Sequence, residues 1–335
     1  CNLERKQNII ETNITKDKII EAAEAIKEGK LVAFPTETVY GLGANALDPE
    51  AVAKIFIEKE RPSFDPLIVH ISNINDIELL TTSKDPRIYK IAEKFWPGPL
   101  TIVLPKSSRV PNIVTSGLNT VGIRMPNNPI ALSLISTSGK PIAAPSANKF
   151  GKISPTKADH VIKQLKGVDY VLDGGSTDIG IESTVITLKE DGFVILREGY
   201  ITADNLLEVL PQSKHKKDSM HLESPGLLKS HYSPDKPIFI ESELSSEQID
   251  NLSNTKKNKK AFISFSGRSP EGYGKIEFLS KNSDLKEAAS NLFSILHKLE
   301  EDLAINVIVT EEVPENGIGI AIMDRLRKAS YRYKK

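Results

Sequence analysis

The apolar positions near the start of the chain follow the spacing of an amphipathic helix. They recur at intervals of three or four: Ile19, Ala22, Ala23 and Ile26. Thr15 precedes this run as a candidate N-cap, and Gly29 follows it as a candidate stop. A strand is predicted next at Leu31–Phe34, where Pro35 ends the apolar run, and a second helix from Asp48 to about Glu58.

Short apolar runs then alternate with helical patterns up to about position 200. The predicted strands are Leu67–Ile71, Leu100–Leu104, Val121–Arg124, Pro141–Ala144, Tyr170–Leu172, Ser183–Leu188 and Phe193–Leu196. Alternation of this kind is typical of α/β and α+β architectures, so we expect one twisted β-sheet with helices around it.

The alternation of strand and helix patterns stops between 211 and 236. The chain there is polar and contains two Ser-Pro pairs. Beyond this stretch the predicted elements are strands at Pro237–Glu241, Lys260–Phe265 and Asn306–Thr310 and a helix at Asp284–Leu303. A chain of 335 residues also exceeds the usual limit of a single hydrophobic core. The sequence therefore predicts a first domain at 1–210, a linker at 211–236 and a smaller α/β domain at 237–335.

Composition and charge narrow the class of protein. Lys plus Arg equals Asp plus Glu at 44 each, so no global field favours nucleic acid, and an anion site has to be a local cluster. Cys1 is the single cysteine, which excludes an internal disulfide or multi-cysteine zinc site and favours a reducing, cytoplasmic location. We assign Cys1 no role and expect a trimmed or tagged start. No membrane span or signal peptide is predicted.

The segment FPTETVYGLG at 34–43 is the first candidate for chemistry. In an extended segment Thr36 and Thr38 point to the same side, and Gly41 and Gly43 let the backbone approach a ligand closely. The alternative is a glycine-rich turn with threonines suited to a strand.

The segment KERP at 59–62 places two cations close together. Pro62 favours an extended conformation at Arg61, so Lys59 and Arg61 share a face, and a polyanion such as a triphosphate between them would offset their repulsion. The alternative is a solvated basic turn after a helix.

Other polar groups follow apolar strands. Ser146 and Asn148 in APSAN can bind phosphate or ribose oxygens, and Arg124 and Arg197 end buried strands, where a substrate anion would balance them. His70 lies among apolar neighbours. The alternatives are an ordinary Ser/Asn turn, a structural salt bridge at Arg197 and a core histidine.

Several common site signatures are missing. The chain has no P-loop, HExxH, GxSxG or Rossmann fingerprint, so ATP, if it binds, does so outside a standard P-loop fold. The run ENGIGIAIMDRL at 315–326 is similar to a glycine-rich nucleotide-binding loop. We predict instead the start of a helix that packs against a strand.

The motifs form an ordered set: GKLVAFPTETVYGLG, KERPSFDPLIVHI, FWPGPLTIVL, TVGIRMP, APSANKFGKISPT, IESTVI and LREG. In this order they resemble the catalytic domain of the threonylcarbamoyl-AMP synthase family. SPGLLKSHYSP and the region ending GIGIAIMDRLRKAS resemble its long two-domain form, Sua5. The resemblance covers nearly the whole chain and implies a YrdC-like twisted mixed sheet with flanking helices, followed by a smaller Rossmann-like α/β domain.

The resemblance also implies binding residues, carried over position by position. Those for L-threonine are Thr36, His70, Arg124, Ala144 and Ser183. Those for ATP are Lys59, Arg61, Ser63, Thr120, Ser146, Asn148, Ser154, Arg197, His231 and Tyr232. One departure is Asp65, where many relatives have Asn; its charge either needs Mg²⁺ or points away from the phosphates.

The implied reaction condenses L-threonine, bicarbonate or CO₂, and ATP to threonylcarbamoyl-AMP and pyrophosphate, for N6-threonylcarbamoyladenosine in tRNA. ATP is a substrate with Mg²⁺, and no metal ligand is assigned. Lys59 and Arg61 are the catalytic candidates, because a carbamate is already anionic and needs alignment and charge neutralisation rather than a strong base. No proton acceptor for the threonine amine is identified. A link to the tRNA threonylcarbamoyl transferase machinery follows, with weak RNA binding as a further partner.

Two rival functions remain. A hydrogenase-maturation carbamoyltransferase shares a related domain but carries cysteine-rich zinc motifs that Cys1 alone cannot build. A non-enzymatic binder of double-stranded RNA or tRNA is weakened by the neutral net charge.

Overall fold

The computed structural model describes residues 14–215, 230–245, 248 and 259–333. Cys1 and most of the predicted linker lie outside the described residues. The helices are α1 (Lys16–Lys27), α2 (Pro49–Lys59), α3 (Ile77–Leu80), α4 (Arg87–Phe95), α5 (Pro129–Ser138), α6 (Ala158–Gln164), α7 (Ala203–Leu207), α8 (Leu285–Glu301) and α9 (Ile318–Ser330). Short 3-10 turns lie at Ile74–Asp76, Glu241–Glu243 and Tyr331–Tyr333.

Thirteen strands are described. They are β1 (Val32–Phe34), β2 (Gly41–Asn45), β3 (Ile68–His70), β4 (Leu100–Pro105), β5 (Thr120–Arg124), β6 (Ile142–Ala143), β7 (Tyr170–Val171), β8 (Thr184–Lys189), β9 (Gly192–Arg197), β10 (Ile238–Ile240), β11 (Lys260–Ser264), β12 (Lys275–Phe278) and β13 (Val307–Thr310). The predicted strands each overlap one of these, whereas β2 and β12 were not predicted.

Local sequence signals set the helix ends. Thr15 caps α1 by accepting from the Lys18 amide, and Asp48 caps α2 by accepting from two amides. Pro49 begins α2, where its missing N–H costs nothing. After Lys59 the chain turns sharply, because Glu60 adopts the left-handed conformation at φ 53°. This turn directs the residues that follow back toward the sheet.

The first domain contains a nine-stranded mixed sheet in the order β7-β1-β2-β6-β3-β5-β4-β8-β9. At its centre β3 pairs in parallel with β5, with His70 opposite Arg124. The parallel pair β4 and β8 places Leu100 opposite Thr184. Because β4 is antiparallel to β5, the ends of β3 and β5 and the starts of β4 and β8 lie in one region, together with the loops that adjoin them.

The second domain contains a four-stranded parallel sheet in the order β10-β13-β11-β12, with α8 and α9 packed together beside it. The predicted helix start at 315–326 is confirmed, since α9 begins after Gly317. Both domains therefore have the predicted α/β character, and the second is the smaller.

The apolar core of the second domain includes side chains from the first. Val39, Ile153 and Ile181 belong to the same buried cluster as α8 and α9. Tyr232, from the end of the predicted linker, joins this cluster and is 1% exposed. The two domains are thus packed through a shared apolar interface.

Within the described residues, no helix is both long and apolar enough to cross a bilayer.

Candidate functional site

A cleft lies where the loops of the first domain meet His231 and Tyr232 at the end of the predicted linker. Its wall is formed by the segments 36–41, 144–146 and 182–183, and by side chains from several strands. Three arginines of the first domain line it, together with one histidine and one acid: Arg61, Arg124, Arg197, His70 and Glu182. His231 and Tyr232 close one side.

The two threonines of the first motif meet in the cleft. The strand does not continue past Phe34, yet Thr36 Oγ1 and Thr38 Oγ1 lie 2.8 Å apart. Thr36 Oγ1 also donates to the Val39 carbonyl at 2.6 Å. The compact loop, rather than strand periodicity, places both hydroxyls on the same side. Both residues line the cleft, as predicted.

The two glycines of this motif serve different purposes. Gly41 lines the cleft and pairs with Ser146 across an isolated bridge. A Cβ on Gly43 would lie 2.7 Å from both Ile142 and the ring of Phe34. Gly43 is therefore required for packing inside the sheet, and its predicted role in ligand approach is wrong.

Arg124, at the end of β5, is buried and paired with an acid that sequence reasoning missed. Its Nη2 donates to Glu37 Oε1 at 2.7 Å, and its Nε donates to the Gly98 carbonyl at 3.3 Å. Glu37 Oε2 accepts from the Asn127 amide at 3.0 Å. The only signal for Glu37 was its place between the two threonines. The pair fixes the guanidinium while leaving Arg124 on the cleft wall.

His70, on β3, is buried and lines the cleft beside Arg124. Burial, together with the positive charge of Arg124, lowers the pKa of His70 to about 3. The imidazole is therefore neutral near pH 7, and its Nδ1 has no hydrogen-bond partner among the described residues. The residue combines the two predicted possibilities, because it packs edge-on against Phe34 and also faces the cleft.

Lys59 and Arg61 are buried, so the alternative of a solvated basic turn is wrong. The predicted extended segment is also wrong at Lys59, which is the last residue of α2. The Lys59 Nζ donates to the Ser146 carbonyl at 2.5 Å and to the Asn148 carbonyl. Burial, with the nearby charges of Arg61 and Lys149, lowers the pKa of Lys59 well below its usual range.

Arg61 is held by the turn that follows it. Its Nε donates to the Asp65 carbonyl at 3.0 Å and its Nη2 to the Pro66 carbonyl at 2.9 Å. The Asp65 carboxylate lies 2.9 Å from the same Nη2, in a pair that is 3% exposed on both sides. Asp65 therefore points inward and pairs with Arg61. Burial raises the pKa of Asp65, while Arg61 and Lys59 oppose that shift.

Some residues of the APSAN segment at 144–148 line the cleft, and others lie behind its wall. Ser146 and Ala144 line the cleft. Asn148 lies behind the wall, and its Nδ2 donates to the carbonyls of Lys149 and Lys152 at 2.8 and 3.0 Å. Its Oδ1 is buried without a hydrogen-bond partner in the described part of the chain.

Arg197, at the end of β9, is bound to the neighbouring cleft segment. Its Nε and Nη2 donate to the Ser183 carbonyl at 3.1 and 2.9 Å, and Nη2 also donates to Ser183 Oγ at 3.1 Å. Ser183 Oγ lies 2.8 Å from Thr101 Oγ1. Ser183, which is implied for threonine, is thus bonded directly to Arg197, which is implied for ATP.

His231 and Tyr232 cover the cleft from the linker side. The His231 ring meets Phe150 and Tyr232 edge-on at 5.8 and 4.1 Å between centroids. Burial, with the charges of Arg61 and Lys59, lowers the pKa of His231 well below its usual range. Tyr232 is held at φ 60°. A non-glycine residue in this region needs support from its surroundings, and here the surroundings include both domains.

Five implied ATP residues do not line the cleft in this structure: Lys59 and Asn148, described above, and Ser63, Thr120 and Ser154. Ser63 is exposed. Thr120 is half-buried at the start of β5, at the opposite end of the strand from Arg124. Ser154 is buried, and its Oγ donates to Glu182 Oε1 at 2.6 Å. Glu182 lines the cleft and was not among the predicted site residues.

Among the described residues there is no group of three or more His, Cys, Asp or Glu side chains that could hold a metal ion. The side chains of Lys59, Arg61 and Arg197 instead lie around Asp65, and Arg61 and Arg197 also line the cleft. Such an arrangement favours an anionic ligand.

Comparisons with known proteins place this chain among relatives that match nearly its full length. A family model described as telomere recombination (Sua5_yciO_yrdC) matches residues 24–199. A second model, described as the C-terminal domain of threonylcarbamoyl-AMP synthase, matches residues 201–330.

Individual proteins agree with the family models. The chain is 42% identical to the threonylcarbamoyl-AMP synthase of Pyrococcus abyssi, over 96% of both chains. It is 41% identical to that of Bacillus subtilis, over 96% of this chain and 95% of the relative. The crystal structure of P. abyssi Sua5 complexed with L-threonine matches with a TM-score of 0.85, at 42% identity and 95% coverage of each chain.

Proposed function

The chain belongs to the threonylcarbamoyl-AMP synthase family, and we propose that it condenses L-threonine, bicarbonate and ATP to threonylcarbamoyl-AMP and pyrophosphate. The product is the activated precursor for N6-threonylcarbamoyladenosine at position 37 of tRNA. The proposal depends on one observation: the guanidinium groups of Arg124, Arg61 and Arg197 line the same cleft.

The threonine end is assigned to Thr36, His70, Arg124, Ala144 and Ser183. Arg124 holds the amino-acid carboxylate, because its guanidinium is fixed by Glu37 and still faces the cleft. Neutral His70 adds no positive charge beside it. This end therefore suits a zwitterion, whose own net charge is zero.

The nucleotide end is assigned to Lys59, Arg61, Ser146 and Arg197, with His231 and Tyr232 over the nucleotide. Ser63, Thr120, Asn148 and Ser154 are assigned to ATP as well, although, like Lys59, they do not line the cleft in this structure. Lys59 and Arg61 act on the reaction by neutralising charge on the triphosphate. Mg²⁺ enters with ATP, since magnesium bound to phosphates needs few protein carboxylates.

The reaction proceeds in two steps. The threonine amine and bicarbonate form a carbamate with loss of water. A carbamate oxygen then attacks the α-phosphorus of ATP, and the bond from that phosphorus to the pyrophosphate oxygen breaks. The protein holds the two substrates in line and stabilises the charge of the leaving pyrophosphate. No covalent enzyme intermediate is needed.

Three wider assignments rest on this function. We divide the chain into a catalytic domain at 1–210, a linker at 211–236 and a C-terminal domain at 237–335. The product is handed to the tRNA threonylcarbamoyl transferase machinery, and weak RNA contact accompanies that transfer. Because ATP, threonine and tRNA meet in the cytoplasm, we place the protein there.

The test is pyrophosphate release from ATP and bicarbonate, with and without L-threonine, and mass spectrometry of the nucleotide product. We expect a strict threonine requirement and a threonylcarbamoyl-adenylate product. Serine should be used better than valine by roughly tenfold, because a site that binds the hydroxyl rejects an analogue that lacks it. Pyrophosphate release independent of any amino acid, or a preference for valine, would contradict the proposal.

A further inference from the structure

Arg325 is a buried arginine of the second domain whose side chain lies against the first. It belongs to α9 and is 1% exposed. Its Nε donates to Glu182 Oε2 at 3.2 Å, and its Nη1 donates to the Glu198 carbonyl at 2.6 Å. Its Cζ lies 5.7 Å from the centre of the Tyr232 ring. One side chain therefore contacts two segments of the catalytic domain and the residue that covers the cleft.

Both contacted segments adjoin implied binding residues. Glu182 precedes Ser183, and Glu198 follows Arg197. Glu182 itself lines the cleft, and its second oxygen accepts from Ser154 Oγ at 2.6 Å. A continuous chain of contacts thus runs from Arg325 through Glu182 to Ser154.

The main chain of Ser154 is held from the second domain as well. His297 on α8 places Nε2 at 3.1 Å from the Ser154 carbonyl. Since a carbonyl accepts, this nitrogen carries the proton. Burial and the neighbouring His160 lower the pKa of His297 to about 3, so the ring is neutral and holds that single tautomer.

The loop that carries Glu182 is pressed closely against the second domain. Gly180 has φ 76°, and a Cβ at this position would lie 2.5 Å from the carbonyl oxygen of Ser290 on α8. Only glycine satisfies both the conformation and the distance. The position of Glu182 is therefore set by contact between the domains.

A contribution to stability does not by itself account for the buried pair of Arg325 and Glu182. Burying an Arg–Glu pair costs desolvation that its attraction often fails to recover, and apolar replacements of similar volume are commonly as stable. A buried pair at the wall of a cleft is better explained by the orientation that it imposes.

We propose that Arg325 is a positioning residue for the nucleotide end of the cleft: it orients Glu182, which holds the Ser154 hydroxyl, and it braces the main chain beside Arg197. The inference rests on the proposed function, because it takes Ser154 and Arg197 as ATP-binding residues. It gives the second domain a role in nucleotide binding, since the site is complete only when the domains are docked.

The experiment compares Arg325→Met with Arg327→Met. Arg327 lies on the same helix, but its side chain is 45% exposed and pairs with Glu315. Full-length variants are measured for the Kd of ATP by calorimetry, and for kcat and the KM of ATP and threonine. We expect Arg325→Met to raise the Kd and KM of ATP at least tenfold, with the KM of threonine changed less than threefold. Arg327→Met should match the wild type.

Removing Arg325 leaves Glu182 buried without its charge partner, so a second variant controls for folding. Arg325→Met combined with Glu182→Gln removes both charges. We expect this variant to recover the thermal midpoint but not the ATP affinity. Full recovery of ATP affinity would overturn the inference, because charge balance rather than orientation would then be the requirement.

The link to Ser154 is tested by combining Ser154→Ala with Arg325→Met. If both act through one contact chain, the double variant raises the Kd of ATP no more than the larger single change. Additive effects would overturn the inference. A wild-type protein without threonine-dependent pyrophosphate release would refute the proposed function. An active enzyme in which Arg325→Met and Arg327→Met bind ATP equally well would refute only the role of Arg325.

Discussion

The two ends of the cleft neutralise their buried cations differently. At the threonine end Arg124 has one carboxylate of its own, Glu37, at 2.7 Å. At the nucleotide end Lys59 donates to two carbonyl oxygens, and Asp65, the acid whose charge acts on Lys59, is paired with Arg61. One end is balanced within the protein, whereas the other keeps an excess of positive charge.

This difference matches the ligands that we assign. A zwitterionic amino acid brings no net charge, so a balanced site binds it without leaving a charge unpaired. A triphosphate brings several negative charges, which an excess of buried cations can accept. Each of the following substitutions changes the charge or the hydrogen bonding at one end and leaves the other end intact.

Lys59→Met is expected to have the largest effect. It removes the buried amine from the nucleotide end while keeping most of the aliphatic stem. Losing a donor that we assign to the reacting phosphates should lower kcat/KM for ATP by about a thousandfold. Pyrophosphate release under saturating threonine measures it.

The matched control is Lys54→Met on the same helix. Lys54 donates to the Gly29 carbonyl, away from the cleft. Its activity should stay within twofold of the wild type. A Lys59→Met enzyme with normal turnover would show that this cation takes no part in the reaction.

Arg124→Lys should have a smaller and more selective effect. A lysine keeps the charge but cannot contact Glu37, the Gly98 carbonyl and a substrate carboxylate through one planar fork. The KM for threonine should rise by about tenfold to a hundredfold, and the KM for ATP should change little. Exposed Arg109→Lys is the control. Equal rises in both KM values would contradict the division of the cleft into two ends.

Asp65→Asn should have the smallest effect on activity. Removing the carboxylate increases the positive charge around Arg61 and Lys59, so the Kd of ATP should fall by about threefold. The free energy of unfolding should decrease by roughly 3 kcal/mol, because a buried cation loses its partner. Calorimetry with ATP and urea unfolding measure the two quantities.

Exposed Asp159→Asn serves as the control for Asp65→Asn. The same titrations decide between the two roles considered for Asp65. If Asp65 is only the partner of Arg61, the Mg²⁺ concentration that gives half-maximal activity stays unchanged. An increased Mg²⁺ requirement in Asp65→Asn alone would make Asp65 a metal contact instead.

Periodicity predicted most of the sheet, because short apolar strands bounded by Pro and Gly stand out in a sequence. It missed β2, which reads Gly-Leu-Gly-Ala-Asn and lacks the β-branched and aromatic residues of a typical strand. That strand exists because Gly43 gives room to Phe34 and Ile142. Such a reason lies in packing between distant residues and leaves no local pattern.

The residues of the candidate site, like the strands, could be predicted only in part from local sequence patterns. Arg61, His70, Arg124 and Arg197 were singled out correctly as lining residues. The acids Glu37 and Glu182 were missed, because an acid in a polar segment looks exposed until its buried partner is known. The partner of Glu182 is Arg325, 143 residues away. Neither composition nor spacing connects residues so far apart.

The shared apolar cluster of Val39, Ile153 and Ile181 with α8 and α9 has a consequence for the smallest fragment that can work alone. Cutting the chain after the catalytic motifs would expose these three side chains to water on the rim of the cleft. A fragment that carries only the motifs would therefore present an apolar surface that the full chain covers.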